Sequence, residues 1–368
     1  MTLRGAFLAT VWVAAVAGVG LRGYPPAVLQ AGGRAVPIGA PVELKPPLGL
    51  PPVPIPLDNP PTADTIALGR RLFYDPRLSV DSTVSCSSCH NPALGFSDGR
   101  QLPEGVRRQK GRRNAPSLLN AAYRDAFFWD GRSPSLEAQA EEPVQNPLEM
   151  AHTLQGAAAR LMSDPGYRAS FERAFGPGPV AYDEVGKAIA SFERTLICGN
   201  SPFDRYFYGH DPSALSESAK RGLEIFRNPA EGNCATCHII GDQYALFTDN
   251  KFHNDSVGPT SDDGDPIDLG HFLISRMEAD KGAFRTPSLR NVVLTAPYFH
   301  DGSRATLQDV IGFYIRGGNP VRHRDKEIQS IWLSGQDRAD LQAFLESLTG
   351  EMPPNVGPPP QTAVGSQQ

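Results

Sequence analysis

Two short stretches constrain this chain more than anything else in it. Cys86-Ser87-Ser88-Cys89-His90 and Cys234-Ala235-Thr236-Cys237-His238 repeat the pattern Cys-x-x-Cys-His. Five cysteines and eight histidines among 368 residues would produce such a motif by chance roughly 0.0015 times, so two copies are not accidental. The chemistry that needs this spacing is haem attachment. Two thiols about one helical turn apart add across the two vinyl groups on one edge of a porphyrin, and the adjoining histidine ligates the iron. Two covalently bound c-type haems are therefore expected, one on Cys86, Cys89 and His90, the other on Cys234, Cys237 and His238. The alternative is one tetrahedral zinc site made from both cysteine pairs. It gives no reason for a histidine directly after each pair. The leftover Cys198 reads as a small buried hydrophobe.

Composition narrows the class further. The formal net charge is −5 and 20% of the residues are charged, which argues against nucleic acid, whose binders need a basic stripe. The chain is 40% apolar, enough for one or two cores, and its length allows two domains. Its 35 prolines and 36 glycines imply long irregular connections. Arg4 followed by an apolar run from Ala6 to Val19 reads as an export signal over residues 1–23, with an uncleaved N-terminal membrane anchor as the rival. Both put the folded part in the periplasm. Residues 24–62 form a proline-rich arm that cannot be helical. Residues 351–368, rich in Pro, Gly and Gln, are expected to be disordered.

Between the ends the sequence repeats itself. Gly69-Arg70-Arg71-Leu72-Phe73 precedes the first motif and Gly222-Leu223-Glu224-Ile225-Phe226 the second. Pro116-Ser117-Leu118-Leu119-Asn120 and Phe128-Trp129-Asp130-Gly131 follow the first; Pro287-Ser288-Leu289-Arg290-Asn291 and Phe299-His300-Asp301-Gly302 follow the second, with the same proline-to-glycine distance. Thr62 is a candidate N-cap for a helix to about Tyr74. Apolar stripes predict further helices over 185–196, 307–315 and 336–348. No run of alternating strands is visible. The expected fold is mainly α with long loops: two tandem cytochrome c-like domains, 63–208 and 209–350, each holding one haem.

Several segments carry a more specific resemblance. They are Leu72-Phe73-Tyr74-Asp75-Pro76-Arg77-Leu78-Ser79, Phe128-Trp129-Asp130-Gly131-Arg132, Glu149-Met150, and Thr286-Pro287-Ser288-Leu289-Arg290-Asn291 continuing to Tyr298-Phe299-His300-Asp301-Gly302. With them the chain resembles the bacterial dihaem cytochrome c peroxidase and MauG superfamily, from about Pro54 to Ser347. The resemblance implies that the N-terminal haem reacts with hydrogen peroxide while the C-terminal haem relays electrons. It implies that Gln139 orients peroxide and that Glu149 moves its proton, which is general acid–base work, with Pro143 between them at the family's spacing. Trp129 falls on the tryptophan that bridges the haems. Asn114, Thr295 and Pro297 fall on positions that hold a calcium ion between the domains, an ion that takes oxygen ligands. His300, in the Phe-His-Asp-Gly turn, reads as structural.

Two departures from the usual peroxidases point to the MauG-like branch. Those peroxidases place a removable histidine over the peroxide haem, where this chain has Val106. They ligate the second haem with methionine, where this chain has Tyr314; phenolate stabilises ferric iron, whereas methionine raises the potential. Met277 is the alternative ligand if Tyr314 is only a core residue. The implied electron donor is a small cytochrome c or copper protein, or a side chain on a protein substrate. Ordinary peroxide scavenging and pure electron transfer without catalysis are the competing functions.

Overall fold

Thr62 opens the first helix through reciprocal caps: its side chain accepts from Thr65 N at 3.2 Å, while Thr65 Oγ1 accepts from Thr62 N at 2.8 Å. A computed structural model describes residues 35–360. Its helices in chain order are α1 (Ala63–Phe73), α2 (Cys86–Cys89), α3 (Leu136–Gln145), α4 (Leu154–Met162), α5 (Pro165–Phe175), α6 (Tyr182–Glu193), α7 (Pro202–Phe207), α8 (Glu217–Arg227), α9 (Phe272–Ser275), α10 (Leu307–Ile315) and α11 (Gly335–Glu346). Strands β1 (Phe252–His253) and β2 (Phe284–Arg285) make one short antiparallel pair, with Phe252 opposite Arg285. The mainly helical expectation therefore holds, and the predicted helix positions correspond to α1, α6, α10 and α11.

The sequence repeat is a structural repeat. Helix α1 crosses α6 in the first half, and α8 crosses α11 in the second. Both crossings turn on the repeated glycine. A Cβ on Gly69 would overlap the Ala188 carbonyl oxygen, and one on Gly222 would overlap that of Asp340. Each crossing is filled by three aromatic rings. Phe73 meets Phe192 and Phe96 at centroid distances of 5.3 and 6.0 Å. Phe226 meets Phe344 and Phe247 at 4.9 and 6.2 Å. Asn120 and Asn291 hold matching left-handed turns, with φ of 59° and 60°.

The buried apolar residues form two large clusters. One draws on Leu68 through Ile189, the other on Phe203 through Leu348. Phe203 lies before the expected boundary at 208/209, yet packs in the second cluster.

The arm and the tail differ from expectation where they are described. Both Leu50 and Asn59 are buried. Lys187 donates to the Ala35 carbonyl at 2.6 Å, and Val42 N bonds Pro61 O at 2.8 Å. Arg290 forks onto Asp204 at 2.8 and 2.9 Å and reaches the Gly49 carbonyl at 2.7 Å, with both charged side chains at most 1% exposed. Residues 351–360 were expected to be disordered with the tail. Instead Tyr74 donates to Val356 O at 2.6 Å and Arg70 to Gly357 O at 2.7 Å. Low helix propensity does not prevent docking, because backbone carbonyls supply the contacts. The expected export signal, the start of the arm and the last eight residues lie outside the described residues. Among the described residues no helix is long and apolar enough to cross a membrane.

Candidate active site

Each Cys-x-x-Cys-His motif folds as one tight turn. Helix α2 carries the first and a 3₁₀ turn, Cys234–Thr236, the second. The histidine backbone N–H bonds the first cysteine's carbonyl at 2.9 Å in both copies. The turn thus brings both cysteines and the histidine together within one short segment. None of the four cysteines is in a disulfide.

The histidine rings are aimed by main-chain carbonyls. His90 Nδ1 donates to Phe96 O at 3.0 Å, and His238 Nδ1 donates to Phe247 O at 2.9 Å. Phe96 and Phe247 sit at matching left-handed φ values of 59° and 52°, which turns their carbonyls toward the rings. A proton fixed on Nδ1 leaves the Nε2 lone pair for a metal, the usual outer partner of a ligating histidine. Burial lowers the His90 pKa to about 4 and lowers that of His238, so both rings are neutral near pH 7, as ligation requires. The donor set and its support fit a haem at each motif.

A small cavity of about 50 Å³, partly open to solvent, lies at the first motif. Its wall includes Cys86, Cys89 and His90 together with Gln139, Pro143 and Glu149. Residues far apart in sequence thus converge on one space. Gln139 and Pro143 lie one turn apart on α3. Pro143 has no N–H, so the Gln139 carbonyl loses its helical donor on the cavity wall. Glu149 follows α3 in a turn where Asn146 Nδ2 donates to its Oε1 at 2.6 Å. Burial nevertheless dominates and raises the Glu149 pKa. Val106 is fully buried in the first core cluster, and its N–H bonds the Glu149 carbonyl at 2.7 Å. The lining contains one histidine, His90.

Trp129 stands where the two halves meet. Its Nε1 donates to Asn114 O at 2.9 Å, and its carbonyl accepts from Arg285 N at 2.9 Å. His300 packs edge to face on it at 6.5 Å and stacks on Phe284 at 3.6 Å. Tyr314 lies on α10; burial raises its pKa, helped by the charge of Asp255 and then by those of Cys234 and Cys237. The zinc alternative fails on geometry. Among the described residues the one cluster of three possible metal ligands is Cys237, Asp249 and His253, not the four cysteines. His253 itself is held between Asp249 at 2.9 Å and Asp325 at 2.6 Å.

Comparison with known proteins agrees with this geometry. Residues 63–212 match the family model described as di-haem cytochrome c peroxidase. The methylamine utilization protein MauG of Methylorubrum extorquens is 42% identical over 300 residues, covering 81% of this chain and 82% of that one. The chain belongs to the dihaem cytochrome c peroxidase and MauG family. It is accordingly an oxidoreductase acting on peroxide. The cytochrome c551 peroxidase of Pseudomonas aeruginosa is 38% identical over 292 residues, 78% of this chain and 79% of the relative. A solved MauG-like protein associated with microbial copper homeostasis superposes with a TM-score of 0.76 at 34% identity, over 85% of this chain and 98% of the other. The diheme peroxidase BthA from Burkholderia thailandensis gives 0.70 at 28% identity, over 80% and 89%.

Within this family member the remaining candidate residues are placed as follows. Asn114 is buried; its Nδ2 donates to Arg100 O at 2.8 Å, and its N–H donates to His300 O at 2.7 Å. Thr295 Oγ1 donates to Val292 O at 3.0 Å, and Pro297 follows a cis peptide bond. Those hydrogen bonds do not join Asn114 to Thr295 or Pro297. The sequence reading missed Glu193, which also lines the cavity. It is buried, its Oε2 has no partner, and burial pushes its pKa up to about 8. The signal was available: Glu193 follows Ile189 by four residues, a carboxylate on the apolar stripe of α6.

Proposed function

We propose that the protein is a periplasmic peroxidase-oxidase of the MauG-like branch, reducing hydrogen peroxide at a permanently open first haem. The observation that carries this reading is Val106. The resemblance puts it where an ordinary family peroxidase has its removable histidine, it is fully buried, and an alkyl side chain cannot ligate iron. Haem held by Cys86, Cys89 and His90 would supply the redox chemistry for cleaving the O–O bond. Glu149 holds a proton at its carboxyl, favoured by its raised pKa, and passes it to the departing oxygen. Gln139, on the same wall, orients the bound peroxide through its amide. Trp129 couples the first site to the second across the junction.

A second haem would be held by Cys234, Cys237 and His238, with Tyr314 as a further iron ligand. Support comes from Tyr314 lying within electrostatic range of both cysteines and from the alternative, Met277, being 59% exposed. The chain reads as two cytochrome c-like domains, 63–208 and 209–350. A calcium ion at Asn114, Thr295 and Pro297 would brace them. Electrons come from a small cytochrome c or copper protein, or from a side chain of a protein substrate.

Ferric spectra of the wild type and of Tyr314→Phe test the reading. Wild type should lack a methionine-to-iron charge-transfer band, and the variant should change the ligation of the second haem alone. A methionine band in the wild type would return the protein to the ordinary peroxidases. Ready oxidation of a small donor with peroxide separates every catalytic reading from a pure electron carrier.

A further inference from the structure

Two arginines at the junction of the halves have no carboxylate partner. Arg285 is 3% exposed; its NH1 donates to Thr286 O at 3.1 Å, and its Nε has no partner at all. Arg124 donates to Ser117 O. Among the described residues neither takes part in an ion pair. Burial lowers the pKa of both, that of Arg124 to about 10 and that of Arg285 to about 9, and the charge of Arg124 adds to the second shift. Asp125 and Glu193 act on them only from a distance. Two neighbouring cations, one buried and one half-buried, are costly without anions between or beside them. A guanidinium is shaped for a carboxylate, which it grips with two parallel N–H bonds.

We propose that Arg124 and Arg285 bind the propionate carboxylates of the haems. This rests on the two-haem reading of the motifs. Each arginine is linked to one motif. The charge of Arg124 acts on the His90 ring. Arg285 lies two residues before Pro287, whose carbonyl faces the His238 ring. A porphyrin tied to cysteines by its vinyl edge presents its propionates at the opposite edge. The junction also contains Trp129, hydrogen-bonded to the backbone of Arg285. The arginines therefore set the charge beside the path between the two sites, and they stabilise the more electron-rich ferrous state.

The test uses the full chain matured with haem, as Arg124→Gln, Arg285→Gln and the two matching lysine variants. A pyridine haemochrome assay first fixes the haem load at two per chain, which tests the two-haem reading separately. Resonance Raman then reads the propionate-bending bands, and a redox titration reads each haem's potential. A glutamine variant should shift the propionate bands and lower the potential of at least one haem; lysine should return the potential toward wild type. The haem that moves identifies the propionate held. Unchanged bands and potentials in loaded glutamine variants would overturn the proposal, as would lysine behaving like glutamine. Should a glutamine variant fail to fold, the lysine variant still decides. An ammonium cannot reproduce the two-bond grip, so wild-type propionate bands there count against it.

Discussion

Glu149 shows how the first site balances opposing forces on a single carboxyl. Asn146 stabilises its charged form, yet burial against the cavity wall wins and raises the pKa. A carboxyl held toward its protonated form suits a group that must give a proton to a leaving oxygen. Glu149→Gln should slow peroxide cleavage by roughly 10² to 10⁴-fold, the usual effect of losing a positioned acid or base. Stopped-flow mixing with peroxide measures it, with haem content unchanged; a wild-type rate would leave Glu149 without a chemical role. At this scale the sequence was informative wherever a side chain is the reagent. Gln139, Glu149, Cys86, Cys89 and His90 do line one cavity. It was silent about the carbonyls of Phe96 and Phe247 that aim the histidines, because any residue supplies a carbonyl and only the fold decides where it points. Arg285 was equally hidden, since burial of a charge cannot be read from its identity.

At the scale of the elements, the two helix crossings are one design used twice. Gly69 and Gly222 let the backbones of α1 and α8 approach α6 and α11 so closely that a Cβ has no space. Alanine favours helix by about 1 kcal/mol over glycine, but overpacking a tight contact costs about 1–3 kcal/mol. The overlap falls on backbone carbonyls, which cannot rotate away, so the penalty should prevail. Gly69→Ala and Gly222→Ala should each lower the thermal unfolding midpoint of the haem-loaded protein. A raised midpoint would mean that the crossings have slack. These crossings were legible as the repeat Gly-x-x-x-Phe ahead of each motif, although the repeat alone did not say that the glycine is a contact. Helices α3, α4 and α5 were not foreseen: their apolar stripes are short, and α3 contains Pro143, which masks its periodicity.

For the whole molecule, the segments before and after the repeat matter more than their composition suggested. Gly49 of the arm, Asp204 of α7 and Arg290 of the Pro-Ser-Leu-Arg-Asn turn meet in one buried hydrogen-bonded unit. Proline content pointed to an extended arm, and nothing local revealed what it would pack against. Removing one member of a buried ion pair costs about 3–5 kcal/mol because the other charge is stranded. Asp204→Ala should therefore destabilise the protein by about that amount in denaturant unfolding, and loss of less than about 1 kcal/mol, the range of an exposed pair, would place the pair in contact with water. The function of the whole assembly turns on whether the first haem is free to react as the protein stands. Val106, which we propose takes the place of the removable ligand, is fully buried, and the cavity wall offers no histidine besides His90. The most direct test is to mix the fully ferric protein with one equivalent of hydrogen peroxide, without any reductant, and follow its optical spectrum. Immediate spectral change at a rate proportional to peroxide is the expected result; a protein that stays inert until one electron has been added would contradict it.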